Sequence, residues 1–376
     1  MQEWLRTLSV AGAVAIGGLA LAGTAPAQAE ELRIAIGLTG ENALVRGMHR
    51  FADNIAAGTD GAYTGRIFPN TLLNFAESPN GVRDGIADVA YVVPAYTRAE
   101  FAHTNLPLDM ATASMDPVVI TGAVNDYVIN CKPCMQEYAA MNQVFLGMAS
   151  IGPYYMMSKP RIVEQGDFRA RKIRGFGPFG RWVEAMGATS VSLSANDIYE
   201  SISQGQLDGN THTLDVLRSL SLGEVTDYLL NAPIGIYTGN SMFNLNRDVW
   251  NDLSDAQKRA FMLAGGDAVA WTTVEYYKEN QALMQDPASV GVELVEPSDQ
   301  VRAATAQFWE DDLATVAQLN REQYGIDYAD DAVARMNELV AKWEALTADI
   351  DKSDPKAVAD LFNREIFGKV EPSVLD

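Results

Sequence analysis

Residues 172–210, KIRGFGPFGRWVEAMGATSVSLSANDIYESISQGQLDGN, change their hydrophobic period from two to about 3.6 and back again, and this alternation commits the chain to an α/β architecture. Lys172 to Phe176 reads as a short strand. Gly177 and Pro178 open a helix in which Phe179, Trp182, Val183 and Met186 fall on one face, the pattern of a core stripe, and Gly187 ends it. Residues 190–193 alternate like a second strand. Ser194 with Asp197 predicts a capping box for a helix carrying Ile198, Tyr199 and Ile202, which stops at Gly205. Arg174 is thereby placed at the carboxyl end of a strand beside a helix amino terminus. In open α/β sheets that crevice is where ligands bind, and a guanidinium there can grip a carboxylate through two parallel hydrogen bonds.

The same grammar runs through the rest of the chain. A strand at ELRIAIGL from Glu31, a helix over about 42–57, a strand over 63–68, a short helix ending at Gly85 and the apolar strand 87–93 predict a mostly parallel sheet covered by helices. RDGIADVAY at 83–91 and SQGQLDGNT at 203–211 share one order: a helix end, a glycine, two residues, an aspartate, then a new element. The match suggests two lobes on similar plans. Residues 241–245 and 292–295 read as further strands. Ser254 begins a helix of about thirty residues that Gly265-Gly266 should interrupt; residues 298–350 are helical with a break over 325–328, and a last helix covers about 356–367. No low-complexity linker separates the lobes, so strands should cross between them.

An apolar, Gly/Ala-rich run from Leu8 to Gly23 follows Arg6 and leads to Ala27-Gln28-Ala29. This predicts a cleavable secretory signal peptide over 1–29 and a periplasmic mature protein; the run is too short and too rich in small residues for an anchor. The net charge of −21 argues against nucleic acid and anionic lipid as partners, and means that any anion site must be built locally. Cys131 and Cys134 are the only cysteines, and in an exported chain they should form a local disulfide. With three scattered histidines, His49, His103 and His212, no metal site is expected.

No nucleophile elbow, P-loop or H-E-x-x-H is present, and the glycines at 175 and 177 do not make a dinucleotide fingerprint, so neither a cofactor nor an enzyme is expected. His212 and Asp215 could share a helix face as an acid/base pair, although a neutral, hydrogen-bonded histidine is the plainer reading. Arg174 could be a surface salt bridge at a strand end. Its neighbours Tyr154, Tyr155, Phe176 and Phe179 instead give it an aromatic setting.

On RARKIRGFG, EAMGATSVSLSANDIYESISQGQLDGN, FNLNRDVWNDLSDAQKRAF and GVRDGIADVAYVVPAY, the chain resembles the solute-binding proteins of tripartite ATP-independent periplasmic (TRAP) transporters, the C4-dicarboxylate-binding (DctP) family. The resemblance covers roughly residues 31–345. It implies a two-lobe periplasmic binding protein fold with crossing strands, a long interlobe helix and extra C-terminal helices. Lobe one would take 30–152 and about 241–285, lobe two 153–240 and about 286–345, leaving 346–376 as a helical tail. It also implies a monomer that closes on a small organic carboxylate and delivers it to small and large membrane subunits. The family's carboxylate-gripping arginine matches Arg174. Where the family often has a ligand-contacting asparagine and a second arginine, this chain has His212 and Tyr154.

Losing the second cation favours a monocarboxylate, aromatic or otherwise partly apolar, bound by Arg174 with Tyr154, Phe176 and His212; Asn240 and Tyr96 complete the expected site. Titration of His212 near neutrality would make binding pH-sensitive. Two other functions fit parts of the sequence: an extracytoplasmic thiol-disulfide redox protein using Cys131 and Cys134, and a binding protein for a cationic or neutral solute with Tyr154 and Phe176 as a cation-π box.

Overall fold

The computed structural model of the protein describes residues 29–40 and 42–375. The signal-peptide reading therefore falls, except for Ala29, outside the described residues. The strands in chain order are β1 (Glu30–Ile36), β2 (Tyr63–Pro69), β3 (Val89–Val92), β4 (Gln143–Phe145), β5 (Met148–Ala149), β6 (Tyr155–Ser158), β7 (Lys172–Arg174), β8 (Thr189–Val191), β9 (Gly209–His212), β10 (Tyr228–Leu230), β11 (Asn240–Asn246) and β12 (Glu293–Val295). They form two six-stranded sheets, one per lobe: β2-β1-β3-β11-β4, with β5 also on β11, and β12-β10-β6-β9-β7-β8. β1 runs parallel to β2 and β3, and β11 lies antiparallel between β3 and β4. In the second sheet β7 is parallel to β8 and β9, whereas β6 runs antiparallel to β9 and β10.

The short internal match in the sequence corresponds to one device used twice. Gly85 and Gly205 both adopt positive φ, +69° and +72°, and turn the chain out of a helix. Three residues later Asp88 and Asp208 each lock a neighbouring parallel strand. The Asp88 carboxylate accepts from the Arg33 amide at 2.7 Å and its own amide donates to the Arg33 carbonyl. Asp208 does the same with Lys172, at 2.9 and 2.8 Å. Arg33 and Arg171 pair with these carboxylates in turn.

Helix Ala43–Gly58 starts at Asn42, whose side chain accepts from the Val45 amide, and packs its apolar face on helix Asp255–Gln285. Ser254 and Gln257 cap that long helix reciprocally. Gly265-Gly266 does not interrupt it. A Cβ on Gly265 would stand 2.2 Å from the Leu146 carbonyl oxygen, and one on Gly266 2.2 Å from Asn363 Oδ1, so the glycines serve close packing against two neighbouring segments. The far end of the helix reaches lobe two: the Tyr276 and Thr213 hydroxyls lie 2.8 Å apart, and Asn280 Oδ1 accepts from the Asp215 amide at 3.0 Å. Two extended segments also cross between lobes and pair with each other, Tyr154 N donating to Gly235 O at 2.8 Å and Ile234 N to Tyr154 O at 2.9 Å.

Helices Asp299–Tyr324 and Ala329–Thr347 are separated at Gly325, in the left-handed region at φ +67°. The first of them straps both lobes. Arg181, on helix Gly177–Ala185 of lobe two, donates to both Asp312 carboxylate oxygens at 2.5 and 2.9 Å. Its Nη1 also reaches Asp109, in lobe one, at 3.5 Å. Asp109 further accepts from Arg98 and from Asn320 Nδ2 at 3.1 Å. Burial alone would push the Asp109 carboxyl up, yet Arg98 and Arg181 bring it below its ordinary value.

Two local expectations fail. Ser194 makes no capping bond: its hydroxyl turns to Asn196 Oδ1 at 3.5 Å, a side chain that the Gly37 carbonyl of the other lobe holds at 2.8 Å, and the Asp197 amide donates to the Ser194 backbone carbonyl instead. His212 ends β9 while Asp215 opens the separate short helix Val216–Ser219, so they do not share a helix face and form no acid/base pair.

Candidate functional site

Arg174 closes β7 and is completely buried. Its Nε donates to Leu193 O at 3.1 Å, Nη1 to Thr211 O at 3.1 Å and Nη2 to the Tyr96 hydroxyl at 2.8 Å. The guanidinium lies over the Phe176 ring, 4.7 Å from its centroid. Among the described residues no carboxylate pairs with it. A buried cation held only by neutral oxygens retains its attraction for an anion, and two of its five N–H groups remain to be used.

Tyr96 follows β3 in the turn Pro94–Thr97 of lobe one. Its oxygen accepts from Arg174 Nη2 and from the Ala195 amide, the latter at 3.1 Å. With both lone pairs engaged, its own proton is the one left to donate. Arg174 and Tyr96 thus put two sets of donors side by side at the meeting of the lobes.

In front of them lies a cavity walled by Tyr91, Tyr96, Tyr154, Phe176, Tyr237 and Tyr276, with Phe75, His212, Asp215, Ser219 and Asn240. Tyr154 is clamped between Phe179 and His212, with ring centroids 3.9 and 4.9 Å away. Phe176 meets Tyr237 edge-on at 5.0 Å and Tyr96 at 5.6 Å. The space between these rings is about 20 Å³ for the centre of a water-sized sphere, room for roughly one water. Ligand sites run to several hundred Å³, so these walls have to part to admit a solute.

His212 is held in one tautomer. Nδ1 accepts from the Thr213 amide at 2.9 Å, leaving Nε2 as the N–H donor. Burial, and secondarily the charge of Arg174, push the imidazole well below its usual value, so it stays neutral where a free histidine would titrate. This overturns the expectation of a histidine-driven pH response near neutrality. Burial likewise drives the Tyr154 hydroxyl far up, although Arg174 pulls the other way. Asn240 lines the cavity but spends its amide on strands of its own sheet: Oδ1 accepts from the Tyr91 hydroxyl on β3, and Nδ2 donates to Ala149 O on β5 at 2.9 Å.

Of the residues singled out from the sequence, Tyr96, Tyr154, Phe176, His212 and Asn240 line the cavity together. Arg174 sits behind them, bonded to Tyr96. Tyr237, Tyr91 and Tyr276 were missed. Tyr237 had a readable signal, an aromatic three residues before Asn240 in a crossing segment; Tyr276 lay in what read as helix core. Cys131 and Cys134 form a disulfide at the start of helix Lys132–Ala140, beside a separate surface recess with Tyr328 and Arg335. No cluster of potential metal ligands occurs among the described residues, and none of their helices is long and apolar enough to cross a membrane.

Comparison with known proteins agrees with this architecture. The ectoine/5-hydroxyectoine-binding periplasmic protein UehA of Ruegeria pomeroyi is 28% identical over 257 residues, covering 65% of this chain and 71% of that one. The crystal structure of a TRAP periplasmic solute-binding protein from Bordetella bronchiseptica with bound (R)- and (S)-mandelate matches with a TM-score of 0.69 at 23% identity, over 83% of this chain and 99% of the other. One from Haemophilus influenzae RdAW with bound L-gulonate matches with a TM-score of 0.70 at 16% identity, over 82% and 99%. The family model for bacterial extracellular solute-binding proteins, family 7 (DctP), matches residues 38–318. Two lobes, strands crossing between them, a cavity at their junction and this family match lead to one statement: the chain belongs to the DctP family and is a TRAP solute-binding protein.

Proposed function

We propose that the protein captures a small organic monocarboxylate with an apolar or aromatic body in the periplasm and delivers it, chemically unchanged, to the membrane subunits of a TRAP transporter. The observation that carries the reading is Arg174: a fully buried guanidinium without an acidic partner, bonded to Leu193 O, Thr211 O and the Tyr96 hydroxyl behind a cavity of aromatic rings. A ligand carboxylate takes the spare N–H groups of Arg174 together with the Tyr96 proton, and His212 Nε2 offers a further neutral donor. With one cation in this neighbourhood, a second carboxylate or a dense set of hydroxyls gains little, whereas a ring or alkyl body packs against Tyr154, Phe176 and Tyr237. Structural neighbours hold both mandelate and L-gulonate. The rings lining this cavity favour the former kind of ligand.

In this reading residues 30–152 with about 241–285 act as one lobe, and 153–240 with about 286–345 as the other. The Cys131–Cys134 pair, away from the cavity, is structural. A purely cationic solute would meet the charge of Arg174.

The test is thermal unfolding of wild type and Arg174→Ala against mono-, di- and aromatic carboxylates with their matched amides. A ligand at a hundred times its Kd stabilises by about 2.7 kcal/mol. Carboxylates should stabilise the wild type alone and amides neither protein; an unchanged response in Arg174→Ala would overturn the reading.

A further inference from the structure

Asp215 is the acidic side chain of the cavity, and the carboxylate-binding reading leaves it without a task. It is 6% exposed and lines the cavity beside His212, Ser219 and Tyr276. It also lines an outer recess with Thr39, Asn42, Arg218 and Glu279, so it stands in the wall between the ring-lined interior and the surface. Its backbone is fixed, the amide donating to Asn280 Oδ1 at 3.0 Å. The Ser219 hydroxyl lies beside the carboxyl and donates to the Asp215 backbone carbonyl at 3.2 Å. The Tyr276 hydroxyl is engaged with Thr213. Oδ2 is left buried without a hydrogen-bond partner.

We infer that the physiological ligand carries, besides the carboxylate held at Arg174, a hydrogen-bond donor, a hydroxyl or an ammonium, that Asp215 accepts. The inference rests on the carboxylate-binding reading and sharpens it. An unpartnered acceptor in a dry wall opposes any ligand that covers it with hydrocarbon and favours one that brings a donor, and a site built to hydrogen-bond a polar group discriminates strongly against analogues lacking it. Charge supports the assignment. Burial pushes the Asp215 carboxyl up to about 6, with Glu279 adding to the rise and the Ser219 and Tyr276 hydroxyls and Arg218 opposing it. The group is thus largely ionised at neutral pH.

Calorimetric Kd values should be measured for wild type, Asp215→Ala, Asp215→Asn and Arg174→Ala with benzoates and phenylacetates bearing a hydroxyl, an aminomethyl or a methyl group at the meta or para position. The donor-bearing acid of the preferred geometry should bind wild type about ten- to a hundredfold tighter than its methyl counterpart. That preference should vanish in Asp215→Ala. Asp215→Asn distinguishes the donors: its amide oxygen retains much of a preference for hydroxyl and loses one for ammonium. Thermal unfolding of each variant shows that it is folded. If carboxylates bind through Arg174 but the donor preference is absent, or is the same in Asp215→Ala, the inference falls and the parent reading stands. If no carboxylate binds wild type, or Arg174→Ala binds as wild type does, both fall.

Discussion

Arg174 Nη2 donates to the Tyr96 hydroxyl at 2.8 Å, joining the last residue of a lobe-two strand to a turn of lobe one. The same oxygen also accepts from the Ala195 amide, so the bond holds the two lobes together and points one phenolic proton at whatever Arg174 binds. Arg174→Lys keeps the charge but not the fork, and should weaken carboxylate binding at least tenfold. Tyr96→Phe removes one neutral hydrogen bond to the ligand and should weaken it about three- to tenfold, read by calorimetry.

The pH response should come from Asp215 and not from His212. Raising a carboxyl from 3.8 to about 6 costs the folded state up to about 3 kcal/mol above both values, and the cost fades as pH falls through that window. Asp215→Asn should therefore unfold at a higher temperature than wild type at pH 7.5, with the difference gone near pH 4. His212, depressed in the fold, works in the opposite sense. Its contribution is complete above about pH 6.5 and is lost as pH falls toward its lower folded value. In the native protein its imidazole resonances should not titrate between about pH 6 and 8. Affinity for a plain carboxylate should fall as pH rises through about 6, as Asp215 ionises with Glu279 and Arg218 beside it, and Asp215→Asn should abolish that trend.

Asp109→Ala should be far more damaging than removal of an exposed acid. It strands Arg98, whose side chain is 16% exposed, leaves Arg181 with Asp312 as its one carboxylate partner, and removes an acceptor of Asn320. A loss of about 3–5 kcal/mol in a denaturant titration is expected.

Gly265→Ala sets helix propensity against space. The propensity gain is about 1 kcal/mol, but the new methyl would stand 2.2 Å from the Leu146 carbonyl oxygen, a backbone atom. A net loss of about 2 kcal/mol is expected. Gly166→Ala, where a Cβ meets nothing within 4 Å, should change stability by less than about 0.5 kcal/mol.

The double variant Cys131→Ser/Cys134→Ser should lose about 2 kcal/mol, the small value for so short a loop, and bind carboxylates with unchanged Kd. A loss of binding with the fold intact would show that the pair reaches the site.

The α/β grammar was legible because it is local: Arg174 at the end of β7, the buried stripe Phe179, Trp182, Val183 and Met186, and the paired Gly85 and Gly205 turns all follow from neighbours in sequence. What failed was set from a distance. Gly265-Gly266 read as a helix break because the carbonyl of Leu146 that needs the space is more than a hundred residues away. Ser194 looked like a cap because nothing nearby announces that its hydroxyl turns to an Asn196 side chain held by Gly37 of the other lobe. Arg98, Asp109, Arg181 and Asp312 look like ordinary surface charges, and Asn320 like a surface amide, until four separate segments bring them together, and Asp215 looked like a partner for His212 until a strand end fell between them.

The placement of β11 has a consequence for the order of assembly. This strand, residues 240–246, fills the gap between β3 and β4, yet five of the six strands of the second sheet are synthesised before it. A chain emerging amino end first holds two bare strand edges open until residue 246 arrives, and such edges invite pairing with other chains. The second sheet waits longer still, for β12 at residues 293–295, so neither lobe closes its sheet until most of the other has been made.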